Sequence, residues 1–452
     1  MAKSLPESDV TLWGKRESLF FYERASNESD SIVLLIPIWS RNVRTPFWIC
    51  IFTCLTLVLA ACDTADESSI TDSPTPGVTD NLITLGSSLA LTGHAGYLGT
   101  QTLRGAQAYL HHINEQGGVH GRKIRVDAVD DSYDPPQCLA NTQRFIIDNN
   151  VFALFCYVGT PTTLKALPLV EEAHIPLVGM FTGANALRQP VNRYVVNIRA
   201  SYYQETMAAV SHMVNDLGLQ KIAVFYQFDA YGFDGLIGTE LALKKYELEP
   251  VARGSYIRGT QDVQEGLEKI RKSNAEAVVM IGTYGACAQF IELAEQQEFN
   301  PIFYTVSFVG AEELARRVGM NSPAHVFMSQ VVPPPIDTPT DGYSANDSAS
   351  DYVRLLKRYF PDDTPSFIGL EGFLNAKIMV EGLRIAGRNL TRERFINAIE
   401  SIHDFKLGPG MSITYGPADR QGLEAIHFTK LHQGHFVPFS NWSGFNEELR
   451  SL

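Results

Sequence analysis

Short apolar segments and longer amphipathic segments alternate along residues 82–306 of this chain. Apolar runs of four to eight residues predict buried strands, and apolar residues at helical spacing predict helices. The predicted strands are residues 83–89, 123–129, 151–157, 176–180, 221–226, 250–256, 277–281 and 301–306, and the predicted helices are residues 99–117, 136–149, 161–173, 232–245, 263–273 and 286–298. This alternation is typical of an α/β fold with mainly parallel sheets.

The strand–helix pattern runs through two similar cycles, which predicts two lobes. Helices around residues 366–386 and 391–402, and antiparallel strands at residues 411–415 and 426–431, are predicted after the second cycle. Ligands of open α/β sheets bind beyond the carboxyl ends of the strands. We therefore expect the binding site in the loops that follow Leu89, Tyr157, Met180, Tyr226, Ile281 and Val306.

A leader precedes this folded part. Residues 47–61 are uncharged and mostly apolar and follow Arg41 and Arg44, which is the layout of a secretory signal. Fifteen residues rise about 22 Å as a helix, less than the hydrocarbon thickness of about 30 Å, so a signal is favoured over a permanent span. Residues 1–40 make the leader unusually long, so either the leader is atypical or translation starts further along the chain.

The leader ends in Leu-Ala-Ala-Cys (residues 59–62), which resembles the bacterial lipobox. By that resemblance the Cys62 thiol would carry a diacylglycerol, and this lipid would anchor the protein to a membrane. Residues 63–80 contain two prolines and almost no large apolar side chain, so they cannot bury enough surface to offset the entropy of ordering. They predict a flexible tether, and the mature domain is expected to begin near Asn81.

The composition narrows the functional classes by exclusion. The chain has 452 residues, 45% of them hydrophobic, and a net charge of -13, which indicates a globular protein of two or more compact units. An acidic chain is poorly suited to bind nucleic acid, because that partner needs a basic face. No Cys/His spacing suggests zinc, and the sequence has no GxSxG, HExxH or P-loop motif and no GxGxxG after a strand. We expect no metal and no cofactor, and the missing motifs do not by themselves exclude an enzyme.

Several segments resemble the leucine/isoleucine/valine-binding proteins, which are class I periplasmic binding proteins of ABC importers. The resemblance begins with ITLGSSLALTGHAGYLGTQTLRGAQAYLHHINEQGGVHGRKIRV (residues 83–126). It continues through DDSYDP (130–135), FTGA (181–184), NRYVVNIRASYYQE (192–205), DAYGFDG (229–235), GTYGACAQFIELA (282–294) and MSITYGPADRQGLEAIHFTKLHQGHFVPF (411–439). The order and spacing of these motifs carry the resemblance across residues 82–439. Because the resembled family is not catalytic, we expect that the chain is not an enzyme.

The resemblance implies two Rossmann-like lobes joined by three crossovers, which close on a small ligand about a hinge. The crossovers are expected near residues 199–202, 331–335 and 406–410, and the prolines at 333–335 suit a stiff connector. The expected organisation is a leader at 1–61, a tether at 62–80, a first lobe at 81–200 and 334–406, a second lobe at 201–333 and 407–440, and a C-terminal tail at 441–452.

The resemblance also implies a ligand site on loops of both lobes. Its residues would be Tyr97, Gly159, Thr160, Thr162, Phe181, Thr182, Gly183, Tyr202, Tyr231, Tyr284, Ser307 and Glu371. Gly159 would let a backbone approach the ligand, and Thr160 or Thr162 could cap the next helix, whose N-terminus attracts anions. A capped helix without a ligand is the alternative. The tyrosines combine an apolar ring with a hydroxyl that can bond a ligand, and packing at the rim is their alternative role.

One position departs from the resemblance. Amino-acid binders of this family place an acidic residue after the strand that matches residues 301–306, where it pairs with the ligand ammonium. Here Ser307, followed by Phe308, stands at that place. A buried ammonium without a counter-charge is costly, although Glu371, Asp229 or Asp234 could substitute. The expected ligand is therefore an amino acid, a small carboxylate, an amide or an aromatic compound.

Two questions stay open at this point. Cys138 and Cys156 both fall in the first lobe and could form a disulfide in the oxidising periplasm, and two buried free thiols are the alternative. The expected function is delivery of a solute to the permease and ATPase subunits of an ABC importer, from the periplasmic or cell-surface side of the membrane. The alternative is a sensor of the same fold that signals to a membrane kinase or cyclase.

Overall fold

The structure is a computed structural model that describes residues 75–148, 150–336 and 348–451. The predicted leader, Cys62 and most of the predicted tether lie outside these residues. The strands are β1 (Leu82–Leu89), β2 (Lys123–Asp130), β3 (Ala153–Phe155), β4 (Leu177–Val178), β5 (Val195–Val196), β6 (Ile222–Gln227), β7 (Arg253–Tyr256), β8 (Ala277–Ile281), β9 (Ile302–Thr305), β10 (Val326–Gln330), β11 (Phe405–Gly408), β12 (Met411–Ile413), β13 (His427–His432) and β14 (His435–Pro438). The helices are α1 (Gly96–Glu115), α2 (Pro135–Ile147), α3 (Thr160–Glu172), α4 (Tyr202–Asn215), α5 (Ala230–Lys244), α6 (Gln264–Lys272), α7 (Tyr284–Gln296), α8 (Ala311–Val318), α9 (Ser348–Tyr359), α10 (Phe367–Ala386), α11 (Arg392–Glu400) and α12 (Trp442–Ser451). Within the described ranges, no helix combines the length and the apolar character needed to cross a membrane.

The first lobe is built on a parallel sheet of five strands in the order β2-β1-β3-β4-β5. Helix α10, from the later part of the chain, packs on α1 at close range. A Cβ atom on Gly105 would lie only 1.7 Å from the carbonyl oxygen of Gly369. Glycine is therefore required at position 105, because any side chain would push the two helices apart.

The second lobe is built on a sheet of seven strands in the order β14-β13-β10-β9-β8-β6-β7. Strands β6 to β10 run parallel, and β13 and β14 add to one edge in antiparallel orientation. Every residue of β8 (Ala-Val-Val-Met-Ile) is buried, as expected for a central strand covered on both faces. The predicted α/β fold, with mainly parallel sheets in two lobes, is confirmed.

The connections between the lobes are held by backbone hydrogen bonds. The Asn197 N–H donates to the Arg420 carbonyl (2.8 Å) and the Leu423 N–H donates to the Ile198 carbonyl (2.7 Å), so residues 420–423 run beside the segment that leaves β5. The crossover expected at residues 406–410 falls on the β11–β12 hairpin. Strand β13 pairs with β10 and β14, so the two predicted antiparallel strands belong to different sheets. The exact bounds of the lobes stay a prediction.

Both ends of the described part pack against the folded body. The Thr75 hydroxyl donates to the Leu390 carbonyl (2.8 Å), and Val78 forms a β-bridge with Ile83, so ordered structure begins before Asn81. The predicted C-terminal tail contains α12, whose Trp442 is buried and stacks on Phe327 with ring centroids 5.0 Å apart.

Candidate functional site

An aromatic cluster lies where loops of the two lobes meet. Phe308 follows β9 of the second lobe and occupies the centre of the cluster. Its ring centroid lies 6.0 Å from that of Tyr133, 5.5 Å from Phe181, 6.4 Å from Tyr202 and 4.6 Å from Tyr231. All five rings are buried, and Tyr133 and Phe181 come from the first lobe. Both lobes therefore contribute to one apolar site at the carboxyl ends of their sheets, as expected for this class of fold.

Gly159 is needed to admit one of these rings. Its φ of +93° lies in a region that other residues rarely adopt, and a Cβ atom there would lie 2.0 Å from the Tyr133 ring. The close approach predicted for Gly159 is real, but its partner is a protein side chain.

The hydroxyl groups of the cluster differ in their partners. The Tyr231 hydroxyl donates to the Gly282 carbonyl (3.1 Å). The hydroxyls of Tyr133 and Tyr202 are buried and make no hydrogen bond within the described residues. Gln227 lies near the first and Thr182 near the second, but neither pair has hydrogen-bond geometry. Burial raises the pKa of Tyr133 and Tyr202, so both phenols remain protonated donors at neutral pH.

The predicted first-lobe threonines lie beside this cluster but do not cap α3. The N-cap residue is Gly159, which has no side chain to accept a hydrogen bond. Thr162 donates back to the Val158 and Gly159 carbonyls, and Thr160 and Thr182 share a hydrogen bond of 2.7 Å. The expectation that Thr160 or Thr162 caps the helix is therefore wrong, because both hydroxyls have other partners.

Further members of the predicted site hold the first-lobe loop in place. The Gly183 carbonyl accepts from the Tyr202 N–H (2.8 Å), which joins this loop to the start of α4. The Arg199 guanidinium lies over the Phe181 ring at 5.0 Å and over the Tyr202 ring at 5.7 Å. The aromatic cluster is thus in direct contact with a buried charged group on its other side.

That charge belongs to a buried ionic network. Arg199 donates to Glu205 (3.1 Å) and lies 3.2 Å from a Glu371 oxygen. Glu205 also accepts from the Ser307 N–H (2.8 Å), the Ser307 hydroxyl (2.9 Å) and the Ser329 hydroxyl. Burial raises the pKa of Glu371 to about 7, although Arg199 opposes the rise. Ser307 and Glu371 therefore use their polar atoms inside this network.

Tyr97 and Tyr284 form a second contact between the lobes, away from Phe308. Their rings meet edge to face with centroids 6.4 Å apart. The Arg317 guanidinium covers the Tyr284 ring at 5.0 Å. Burial raises the pKa of Tyr284. This pair fits the rim-packing alternative for tyrosines of the predicted site.

Two second-lobe carboxylates accept backbone N–H groups of the first lobe. Asp234 accepts from the Asn185 N–H (2.9 Å), and Glu312 accepts from the Phe367 N–H at the start of α10 (3.0 Å). The other oxygen of each carboxylate is buried and lacks a hydrogen bond in the described part of the chain. Burial raises the pKa of Asp234 to about 6 and also raises that of Glu312. These contacts join the two lobes.

The cysteines do not form the disulfide considered from the sequence. Cys138, Cys156 and Cys287 are free and buried. Cys156 contacts the Asn375 side chain, and Cys138 interacts with Asp131, so the two thiols face different neighbours. The alternative of two buried free thiols is the one the structure shows. Among the described residues, no group of three or more His, Cys, Asp or Glu side chains is arranged to hold a metal ion.

Four important residues were absent from the predicted site. Phe308 stands next to Ser307 and could have been found from the same strand end. Tyr133 follows β2, and the loop after that strand was not among those expected to form the site. Arg199 and Glu205 lie in a predicted crossover and an unpredicted helix, and only their buried contact reveals their role.

The fold, with an aromatic cluster where its two lobes meet, is that of a two-lobed solute-binding protein, and comparison with known proteins gives the family. The model of the periplasmic binding protein family matches residues 82–435, so the chain belongs to that family. Its members are solute-binding proteins and not enzymes. Membership implies an exported, periplasmic protein.

Relatives of the chain agree with this assignment. The chain is 26% identical over 228 residues to an "Amino acid binding protein" of Pseudomonas aeruginosa, covering 50% of this chain but only 61% of the relative. It is 24% identical over 316 residues to "Leu/Ile/Val-binding protein homolog 7" of Brucella abortus, covering 67% of this chain and 76% of the relative. The crystal structure of a possible leucine/isoleucine/valine-binding protein from Rhodopirellula baltica superposes with a TM-score of 0.75, at 31% identity, over 82% of this chain and 98% of that one.

Proposed function

We propose that this chain is the solute-binding component of an ABC-type importer, which takes a small ligand between its lobes by hinge closure. The observation that carries the proposal is the Phe308 cluster. Rings from both lobes meet there, so a ligand in contact with both lobes would favour the closed form over the open one. The resemblance to binding proteins of ABC importers supports permease and ATPase subunits as its partners.

The same proposal includes a lipid anchor. The sequence Leu-Ala-Ala-Cys ends an apolar signal-like run, and a polar stretch follows it. We propose that Cys62 carries the lipid, that the chain is thereby held at the periplasmic or cell-surface side of a membrane, and that residues before Thr75 link this anchor to the binding domain.

A ligand screen followed by scattering tests the proposal. The exported protein is screened by thermal shift against amino acids, carboxylates, amides and aromatic acids. A ligand at about 100 times its dissociation constant should add about 2.7 kcal/mol of stability. The radius of gyration from small-angle scattering should then be smaller with the ligand than without it. A ligand that binds without changing this radius would contradict hinge closure, and the failure of every class to bind would contradict solute binding.

A further inference from the structure

We infer that the cleft binds an aromatic or branched apolar carboxylate that carries no ammonium group, such as an aryl-alkanoic acid or a 2-oxo acid, and that it discriminates against α-amino acids. The inference rests on the proposed function, since it names the ligand class of the same site. It follows from three features of the described residues. The centre of the site is apolar, its carboxylates already have partners within the protein, and hydrogen-bond donors gather near Tyr133.

The centre of the cleft is apolar on both sides. Phe308 makes ring contacts with Phe181 of the first lobe and with Tyr231 of the second, at 5.5 and 4.6 Å between centroids. An aromatic surface of this kind favours the binding of a ligand that buries a ring or a branched alkyl group, because apolar area removed from water is the main source of binding energy. A small polar solute would gain little from these contacts.

The carboxylates nearest to this centre already have partners. Glu205 and Glu371 pair with Arg199, and Glu205 also accepts from Ser307. Asp229 accepts the Tyr231 and Gly232 N–H groups at the start of α5 and the Gln227 amide. An ammonium group placed against Phe308 would have to compete with these partners for a carboxylate, and a buried charge that lacks a partner of its own is expensive.

Two carboxylates do keep an oxygen without a hydrogen bond in the described chain, but each lies at a different contact between the lobes. Asp234 is held against Asn185 and is influenced by Arg188. Glu312 is held against α10 and lies near Tyr97. Both carboxylates are therefore occupied by contacts between the lobes.

The hydrogen-bond donors gather at the Tyr133 end of the cluster. The Tyr133 ring contacts Phe308 and also lies 5.4 Å from the His94 ring and 5.9 Å from the Arg258 guanidinium. The Tyr133 hydroxyl and His94 Nε2 are buried and make no hydrogen bond within the described residues. The nearest ion-pair partner of Arg258 is Asp229, at 4.0 Å. A carboxylate would satisfy these groups, since it offers two acceptor oxygens and a negative charge to Arg258.

These features place the two ends of the ligand. The apolar body would lie against Phe308, and the carboxylate would face Tyr133, His94 and Arg258, which come from both lobes. A ligand bound in this way would bridge the lobes through its two ends. Tyr133 joins the two parts of the site, because its ring belongs to the apolar cluster and its hydroxyl belongs to the group of donors.

Matched ligand pairs test the inference. Phenylalanine is compared by titration calorimetry with phenylpyruvate and 3-phenylpropionate, and leucine with 4-methyl-2-oxopentanoate. We expect at least one acid without an ammonium group to bind ten-fold or more tightly than its matched amino acid. Equal or tighter binding of the amino acids would overturn the inference, as would a screen in which only amides or other neutral solutes bind. If no solute of any class binds, the proposed function itself fails.

Two variants assign the ends of the ligand. Arg258→Met should weaken the binding of 3-phenylpropionate ten-fold or more and leave the binding of 3-phenylpropanamide within two-fold. Arg253→Met is the matched control, because Arg253 is an exposed arginine on the nearby strand β7 that pairs with Glu240. Phe308→Glu should shift the preference toward phenylalanine, and its thermal unfolding shows whether it folds. An equal loss of affinity for 3-phenylpropionate in Arg258→Met and Arg253→Met would overturn the assignment of Arg258. This outcome does not depend on the ligand preference of Phe308→Glu.

Discussion

Ser307 and Phe308 are neighbours in sequence, yet their side chains enter two different regions of the molecule. Ser307 joins the ionic network, in which its N–H and its hydroxyl both donate to Glu205. Phe308 joins the aromatic cluster, in which the Tyr133 and Tyr202 hydroxyls have no hydrogen bond within the described residues. Ser307 uses both of its donors inside the protein, although Arg199 Nε in the same network has no hydrogen bond among the described residues, and the cluster leaves two phenol hydroxyls without one.

The difference assigns separate tasks to the two regions. Arg199 lies in the segment that connects the first lobe to α4. Its guanidinium interacts with Glu371 of α10 and with Glu205 of α4. The network therefore fixes the connection between the lobes, where a defined geometry matters for hinge motion. In the proposed hinge closure the cluster would lie between the two closing surfaces, and its hydroxyls without a partner in the described residues would be available to a ligand.

The largest expected effect comes from breaking the ionic network. Arg199→Met removes the positive charge and leaves Glu205 and Glu371 buried without it. We expect a loss of about 3–5 kcal/mol in the free energy of unfolding, because removing one partner leaves an uncompensated buried charge. Urea unfolding monitored by circular dichroism measures this loss.

Arg193→Met is the control for this prediction. Arg193 also pairs with two carboxylates, Glu393 and Glu400, but its side chain is 39% exposed. Solvent screens such pairs, so the variant should lose no more than about 1 kcal/mol. If Arg199→Met lost no more stability than this control, the network would not hold the connection between the lobes.

The second effect concerns the pH dependence of closure. Burial in the closed form raises the pKa of Asp234 from 3.8 to about 6. If the carboxylate is exposed in the open form and titrates there near its ordinary value, the closed form binds the proton more tightly. Closure, and with it ligand affinity, should then increase as the pH falls from about 7 to about 4. A difference of about two pKa units limits the extra free energy of closure at low pH to about 3 kcal/mol.

Asp234→Asn should remove that part of the pH dependence. The amide oxygen can still accept from the Asn185 N–H, but it has no charge to bury, so the affinity at pH 7 should rise toward the low-pH value of the natural protein. Glu371 also titrates near neutral pH, but it is present in both proteins and cancels in the comparison. Glu240→Gln, on the same helix, serves as the control. Titrations of both variants at pH 5 and pH 7 measure the difference, and an unchanged pH dependence in Asp234→Asn would contradict the prediction.

Local sequence patterns predicted most of the fold, because buried strands leave a clear signal. The predicted strand at residues 277–281 coincides with β8, whose five apolar residues are all buried. Helix α4 was not predicted, although Ser201 and Gln204 form a capping box at its start that the sequence displays. Apolar runs and capping boxes depend on residues close together in the sequence, so a single sequence is enough to recognise them.

The candidate site was less predictable, because its chemistry depends on contacts between distant parts of the chain. The strand-end rule pointed to the loops of Phe181, Tyr231 and Ser307, which meet at the aromatic cluster and the ionic network. It could not show that Ser307 bonds Glu205, or that Glu371 reaches Arg199 from a helix far along the chain. Whether a buried hydroxyl has a partner is a property of the folded packing alone.

The smallest effect separates the hydroxyls of the aromatic cluster from each other. Tyr231→Phe removes a hydrogen bond to the Gly282 carbonyl and should cost about 1 kcal/mol of stability. Tyr133→Phe removes a buried hydroxyl without a hydrogen bond in the described residues, so the free energy of unfolding should not fall and could rise slightly. The effects on ligand affinity should have the opposite order: Tyr133→Phe loses affinity because its hydroxyl faces the ligand carboxylate, and Tyr231→Phe keeps most of its affinity. Urea unfolding and ligand titration of both variants measure the two rankings. If Tyr133→Phe lost stability but not affinity, its hydroxyl would belong to the protein interior, and the contrast between the cluster and the ionic network would not hold at that residue.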